Sequence, residues 1–227
     1  MTDTALITKG DLVEILRLLA KTFEEHVDHL SKLDTEIGDG DHGFSMASGF
    51  KSVADKLDQL SELPIGDLLK KTGFELIKTI GGAAGAVFGT LFTGQASIYQ
   101  ANPEGKESLT LQQWSEMFTE ALAQIQRRGG AQLGDKTMLD ALQPAVTALE
   151  EAAAQNADLG DAFQTAARRA RSGALSTKDM IAKHGRAKNL GERALGFVDP
   201  GSVSTALIFE TLADYFTNRE SSARIDS

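Results

Sequence analysis

An all-α protein is what this sequence predicts, on three observations. Apolar residues recur at steps of three or four along most of the chain, period-two alternation is nearly absent, and only four prolines occur among 227 residues. About eight helices joined mostly by short loops follow, which implies an antiparallel, up-and-down bundle.

Taken in order, the first stripe is Leu12, Leu16, Leu19, Phe23, Val27 and Leu30, expected as one helix. Further helices are expected over about 44–59, 66–81 and 84–100. Thr110 and Gln113 form a capping box that opens the next, with Trp114, Phe118, Leu122 and Ile125 on one face. A helix over about 136–155 contains Pro144, where a kink is expected. Ala162, Ala166, Ala170 and Ala174 make a stripe of small residues that lets a neighbouring helix approach closely. Ile208, Leu212 and Tyr215 mark the last helix. No linker rich in Pro, Gly or Ser divides the chain, so residues 1–227 are expected to form one domain.

The net charge of −9 argues against nucleic acid as a partner, since phosphate backbones are bound by basic faces. With no cysteine, neither disulfides nor thiolate metal sites can form, which suits a reducing cytoplasm. No signal peptide and no membrane span are expected. A homo-oligomer remains open.

Two segments break the short-loop pattern, and long irregular segments in a compact chain are usually functional. The first, Leu33 to Phe44, reads LDTEIGDGDHGF and is too rich in glycine for a stable helix. Asp34, Asp39 and Asp41 are spaced five and two apart, so no helix face presents all three. Glycines at 38, 40 and 43 let the backbone curl and the carboxylates converge. Converging carboxylates repel unless a cation sits among them, and all-oxygen ligation suits Mg²⁺ or Ca²⁺. The EF-hand spacing fails, because Asp39 stands where glycine is required and Ser45 where glutamate is. A metal–phosphate site competes here with a plain solvated acidic turn.

The second long segment, 184–201, carries His184, Arg186, Lys188 and Arg193 and then Asp199, Pro200 and Gly201. Its cations could neutralise phosphate, or simply form a basic surface loop. TIGGAAGAVFGT, residues 79–90, looks like a glycine-rich helix start able to take an anion, or a close helix contact. GGAQLGDKTMLDAL, residues 129–142, nearly imitates a phosphate-binding P-loop. However, Asp135 intrudes before Lys136 and no strand precedes it, so a helix N-cap at Asp135 is the simpler expectation. Metal carboxylates, glycine-lined helix starts and a basic covering loop together are the parts that phosphoryl transfer needs.

These stretches, LDTEIGDGDHG, GGAAGAVFGT, GDKTMLDAL and GRAKNLGERALGFVDPGSVS, in this order along nearly the whole chain, resemble the nucleotide-binding L subunit of dihydroxyacetone kinase. The resemblance implies an eight-helix up-and-down α-barrel with ADP or ATP and two Mg²⁺ at one end. It implies Asp34, Asp39 and Asp41 as metal ligands, and His42, Gly43, Phe44, Ser45, Ala83, Ala84, Gly129, Met138, Arg186, Asp199, Pro200 and Gly201 as the nucleotide site. Arg186 would stabilise charge on the moving phosphoryl group. The partners implied are a K subunit that holds dihydroxyacetone and an M subunit whose phosphohistidine recharges ADP. This sequence has Ser45, Ala84 and Ala86 where the family often has asparagine, serine and proline. Two alternatives stand beside this expectation: an ATP-dependent kinase subunit for a ketose such as erythrulose, and a non-catalytic nucleotide-binding adaptor of a transcription regulator.

Overall fold

The structure, a computed structural model, describes residues 6–99 and 107–225, with only the backbone at 223–225. It is all-α. Among the described residues the strands are two antiparallel pieces of two residues each, β1 (Ile7–Thr8) and β2 (Ser108–Leu109).

Helix α1 (Lys9–Glu25) begins at Thr8, whose side chain accepts from the Asp11 N–H while Asp11 accepts from the Thr8 N–H, closing a capping box. The stripe expected as one helix is split at His26. Its backbone leaves helical geometry (φ −107°, ψ 10°), and both its N–H and its ring Nδ1 lie on the Thr22 carbonyl, at 3.1 and 2.8 Å. The chain then resumes as α2 (Val27–Ile37). This second helix carries Asp34 and Glu36, so the irregular acidic segment is shorter than the glycine count suggests and spans only 38–41.

The remaining α-helices are α3 (His42–Ala54), the single turn α4 (Leu57–Leu60), α5 (Ile65–Ile80), α6 (Gly82–Ile98), α7 (Leu111–Gly129), α8 (Leu139–Ala154), α9 (Leu159–Ser176) and α10 (Pro200–Ile225), and 3₁₀ turns at Thr177–Asp179 and Arg186–Ala194 fall in the segment between α9 and α10. The Thr110–Gln113 capping box opens α7 as expected, and Gly130 closes it in the left-handed conformation. Helix α8 runs through Pro144 without ending.

Eight helices form a closed ring. Packing runs α1–α3–α5–α6–α7–α8–α9–α10, and α10 returns to α1, while α2 lies against α3 and α10. The core fills this ring. Phe23 stacks on Phe50 at 4.6 Å, and Trp114, Phe163 and Phe216 pack mutually at 5.0–6.0 Å. The Trp114 indole N–H is satisfied by Gln95 Oε1 at 3.0 Å, both side chains being buried. The alanine stripe of α9 is fully buried, as its spacing predicts. There, a Cβ on Gly173 would collide with the Asp140 carbonyl, the group that Pro144 cannot reach with an N–H. Ring closure leaves the α2–α3 turn, the starts of α6, α8 and α10, and the 177–199 segment around one cleft.

Candidate functional site

Asp34 sits in the last turn of α2, only 9% exposed. Its Oδ2 accepts from the Gly40 N–H at 2.9 Å and the His42 N–H at 3.2 Å. One carboxylate thereby folds the turn back on itself and caps the first turn of α3. Gly40 supplies the left-handed residue that the turn needs (φ +81°). Asp39 and Asp41 project from this turn, and one oxygen from each of Asp34, Asp39 and Asp41 lies within 4.8 Å of the others. Burial, and the negative charges of Asp39 and Asp34, push the Asp41 carboxyl above its ordinary range, with Arg186 opposing. Arg186 reaches across to Asp39, Nη1 to Oδ1 at 2.6 Å, and remains largely exposed.

Beside this cluster lies a cleft of about 360 Å³, within the range of small-molecule sites. Ala83 and Ala84 contribute the start of α6, and Gly129 and Met138 a second wall. Gly185 and Arg186 belong to the covering segment, and Asp199, Pro200 and Gly201 to the start of α10. Gly81 turns the chain into α6 with φ +67°, and the first-turn N–H groups of α6 point out of the helix end, as a helix start requires.

Two titratable groups in this cleft are strongly displaced. Burial pushes the His42 imidazolium down to about 4, so the ring is neutral at pH 7. Its Nε2 lies 2.8 Å from Ser204 Oγ, joining α3 to α10. Burial pushes the Asp199 carboxyl up to about 7, against a hydrogen bond from the Ser202 N–H at 2.6 Å. Asp199 is thus the cap of α10, with Pro200 at the first helical position, where its missing N–H costs nothing.

Of the residues expected from the sequence, Asp34, Asp41, His42, Ala83, Ala84, Gly129, Met138, Arg186, Asp199, Pro200 and Gly201 all border the cleft. Asp39 stands at its edge in the pair with Arg186. The other three lie behind or outside the lining. Gly43 is buried on α2, where a Cβ would collide with the Val27 carbonyl. Phe44 is 61% exposed, and the half-buried Ser45 donates its N–H to the Asp41 carbonyl at 2.9 Å.

The GDKT segment differs from its expectation. Instead of capping a helix at Asp135, it forms a tight turn, and α8 begins only at Leu139. Asp140, 1% exposed, accepts from the Gly134 and Thr137 N–H groups at 2.6 and 2.8 Å. Asp135 accepts from the Gln132 N–H at 2.8 Å and pairs with Lys183 at 2.6 Å. Lys136 adopts φ +59° and buries its ammonium. The sequence signal was the density of charge beside Gly134 in an apolar context, which points to a satisfied buried turn as readily as to a P-loop.

The description DAK2 domain belongs to the family model that matches residues 36–214. The chain belongs to this family. As a DAK2-family chain it is 39% identical, over 91% of its own length and 97% of the relative, to the PEP-dependent dihydroxyacetone kinase, ADP-binding subunit DhaL, of Escherichia coli (strain K12). It is 38% identical to the corresponding subunit of kinase 2 from Listeria innocua, over 88% of this chain and 91% of that one. Its fold is similar to the crystal structure of the dihydroxyacetone kinase from C. freundii in complex with AMP-PNP and Mg²⁺, with a TM-score of 0.70 and 28% identity. That likeness covers 94% of this chain, which spans 36% of the length of that kinase.

Proposed function

We propose that this DAK2-family chain is the ADP/ATP-binding phosphoryl-transfer subunit of a dihydroxyacetone kinase. It would act in the cytoplasm with a K subunit that holds the ketose and an M subunit that recharges the nucleotide. The carrying observation is the junction of a three-aspartate cluster with a cleft bordered by the starts of α3, α6 and α10. Similarity to two PEP-dependent ADP-binding subunits over most of their length supports the same reading.

The donor set fits a hard divalent cation. It is all oxygen and its three oxygens lie within 4.8 Å; Asp41, raised by burial and then by the charges of Asp39 and Asp34, is in the like-charge crowding that a cation relieves. Asp34, Asp39 and Asp41 would therefore hold Mg²⁺, two ions by the resemblance. Bound there, Mg²⁺ would neutralise phosphate oxygens.

The chain's own residues supply the rest. The exposed N–H groups at the start of α6 bind phosphate, since the positive end of the helix dipole faces the cleft. Met138 and Gly129 flank the base, and the start of α10 closes over it. Arg186 exchanges its Asp39 partner for the phosphoryl group in flight and stabilises the charge there. No general base is required of this chain, because the acceptor hydroxyl is carried by the K subunit. Neutral His42 binds α3 to α10 and holds the two helix starts in register.

Reconstitution tests this. The purified chain, a K subunit and dihydroxyacetone are supplied either with phosphorylated M subunit or with free ATP. Formation of dihydroxyacetone phosphate with the M subunit is the expected outcome. Turnover with free ATP alone would assign the chain to an ATP-dependent kinase, and no transfer from either donor would refute the kinase assignment.

A further inference from the structure

Lys136 is buried to 1% exposure, matched among the described charged residues by Asp140, and the reaction outlined above leaves it without a task. It borders the cleft, yet its ammonium does not point into it as a phosphate ligand would. Nζ donates to the carbonyls of Thr177 at 2.7 Å, Ala194 at 2.9 Å and Phe197 at 2.6 Å. An ammonium has three N–H donors, so the set is used up, and none remains for an anion. The three carbonyls belong to the two ends of the segment that carries Arg186: Thr177 precedes it, and Ala194 and Phe197 follow it.

The cost of this arrangement shows that it is specific. The backbone of Lys136 lies at φ +59°, which is unfavourable for a residue with a Cβ. Burial depresses the ammonium's pKa, while Asp199, Asp179 and Asp140 sustain the charge. The preceding residue fastens the same segment at another point, since Asp135 pairs with the Lys183 side chain and accepts the Lys183 N–H at 3.1 Å.

We propose that Lys136 is a positioning residue for the covering segment: a buried ammonium staple that closes the ends of residues 177–197 into one loop, sets the height of Arg186 over the cleft, and thereby controls how long a nucleotide stays bound. This rests on the nucleotide-site reading above. The role is distinct from that of a P-loop lysine, which the local sequence imitates but whose donors would be spent on phosphate.

The test replaces Lys136 by Met, which keeps the length of the side chain and removes its donors, and by Gln, whose amide keeps two. Hydrogen–deuterium exchange is followed on the protein without nucleotide, and release of a fluorescent ADP is followed by stopped flow in Mg²⁺. In Lys136→Met the expected result is faster exchange confined to residues 177–199 and nucleotide release accelerated at least tenfold, with an unchanged Mg²⁺ midpoint. Lys136→Gln should fall between Lys136→Met and the parent. Loss of protection spread evenly over α5 to α9, in either variant, would make Lys136 a strut of the core and overturn the proposal. So would undiminished protection, or unchanged release with a deprotected loop. An unchanged parent that binds no nucleotide would instead refute the nucleotide site, with the exchange data still deciding the staple.

Discussion

Replacing Asp39 by Asn should move the stability of the free protein and of the loaded protein in opposite directions. In the free protein Asp39 faces Asp34 and Asp41 with oxygens within 4.8 Å. Two unit charges at that separation repel by about 0.9 kcal/mol in a water-like dielectric, the appropriate limit for the exposed Asp39 and Asp41. Neutralising Asp39 relieves two such pairs. It also loses the exposed ion pair with Arg186, worth about 0–1 kcal/mol. The balance is a gain of about 1 kcal/mol, or about 2–4 °C in Tm for a chain of this size. With Mg²⁺ and ADP at about 100 times their Kd, linkage should raise the parent by about 2.7 kcal/mol, some 5–11 °C. Asp39→Asn should show under about 2 °C of that shift. Thermal melts followed by circular dichroism, with and without Mg²⁺–ADP, measure both quantities. A variant that melts below the parent without ligand, yet keeps the full ligand shift, would refute the charge-cluster argument.

Three further outcomes are expected. His42 and Asp199 should oppose each other in the pH dependence of stability. His42, lowered to about 4 in the fold, is protonated more readily unfolded, so it makes stability fall as pH drops from 6.5 towards 4. Asp199, raised to about 7, is protonated more readily folded, so it makes stability fall as pH rises from 3.8 towards 7. Urea midpoints of the metal-free parent should therefore be nearly flat from pH 4 to 6.5. His42→Gln should tilt them downward with rising pH and Asp199→Asn upward, each by about 1.4 kcal/mol per pH unit; slopes of the same sign would contradict this. Arg186→Gln should lower turnover in the reconstituted system by at least about 100-fold, well beyond the about tenfold weakening of nucleotide binding that loss of its cover causes, a split read by steady-state kinetics and calorimetry. Gly43→Ala should destabilise the protein by about 1–3 kcal/mol in chemical denaturation, because its Cβ must displace the Val27 carbonyl.

Local signals carried well from sequence to structure. The Thr110–Gln113 capping box, the buried alanine stripe of α9 and the convergence of Asp34, Asp39 and Asp41 all depend on residues within a few positions of one another. What sequence could not show was decided by one local backbone break and by distant partners. The break at His26 falls inside an unbroken apolar stripe, so periodicity passes over it; its signature is a backbone and ring that both turn to Thr22. Lys136 looked like part of a failed P-loop because its partners are carbonyls 41, 58 and 61 residues away, which any residue type can provide. The pairing of His42 with Ser204 spans 162 residues and left no local trace. Gly43, which the resemblance places against the nucleotide, also presses against α2 at the Val27 carbonyl, a packing contact that local sequence does not mark.

The central claim is that Asp34, Asp39 and Asp41 hold divalent cations against the phosphates of a nucleotide lying in the adjacent cleft. A crystal structure with ADP and Mn²⁺ in place of Mg²⁺, with anomalous maps to locate the metal, tests it most directly. Metal peaks about 2.0–2.2 Å from these carboxylate oxygens, with the diphosphate between them and the start of α6, are predicted. Nucleotide bound elsewhere on the molecule, with the three carboxylates metal-free and turned to solvent, would contradict it.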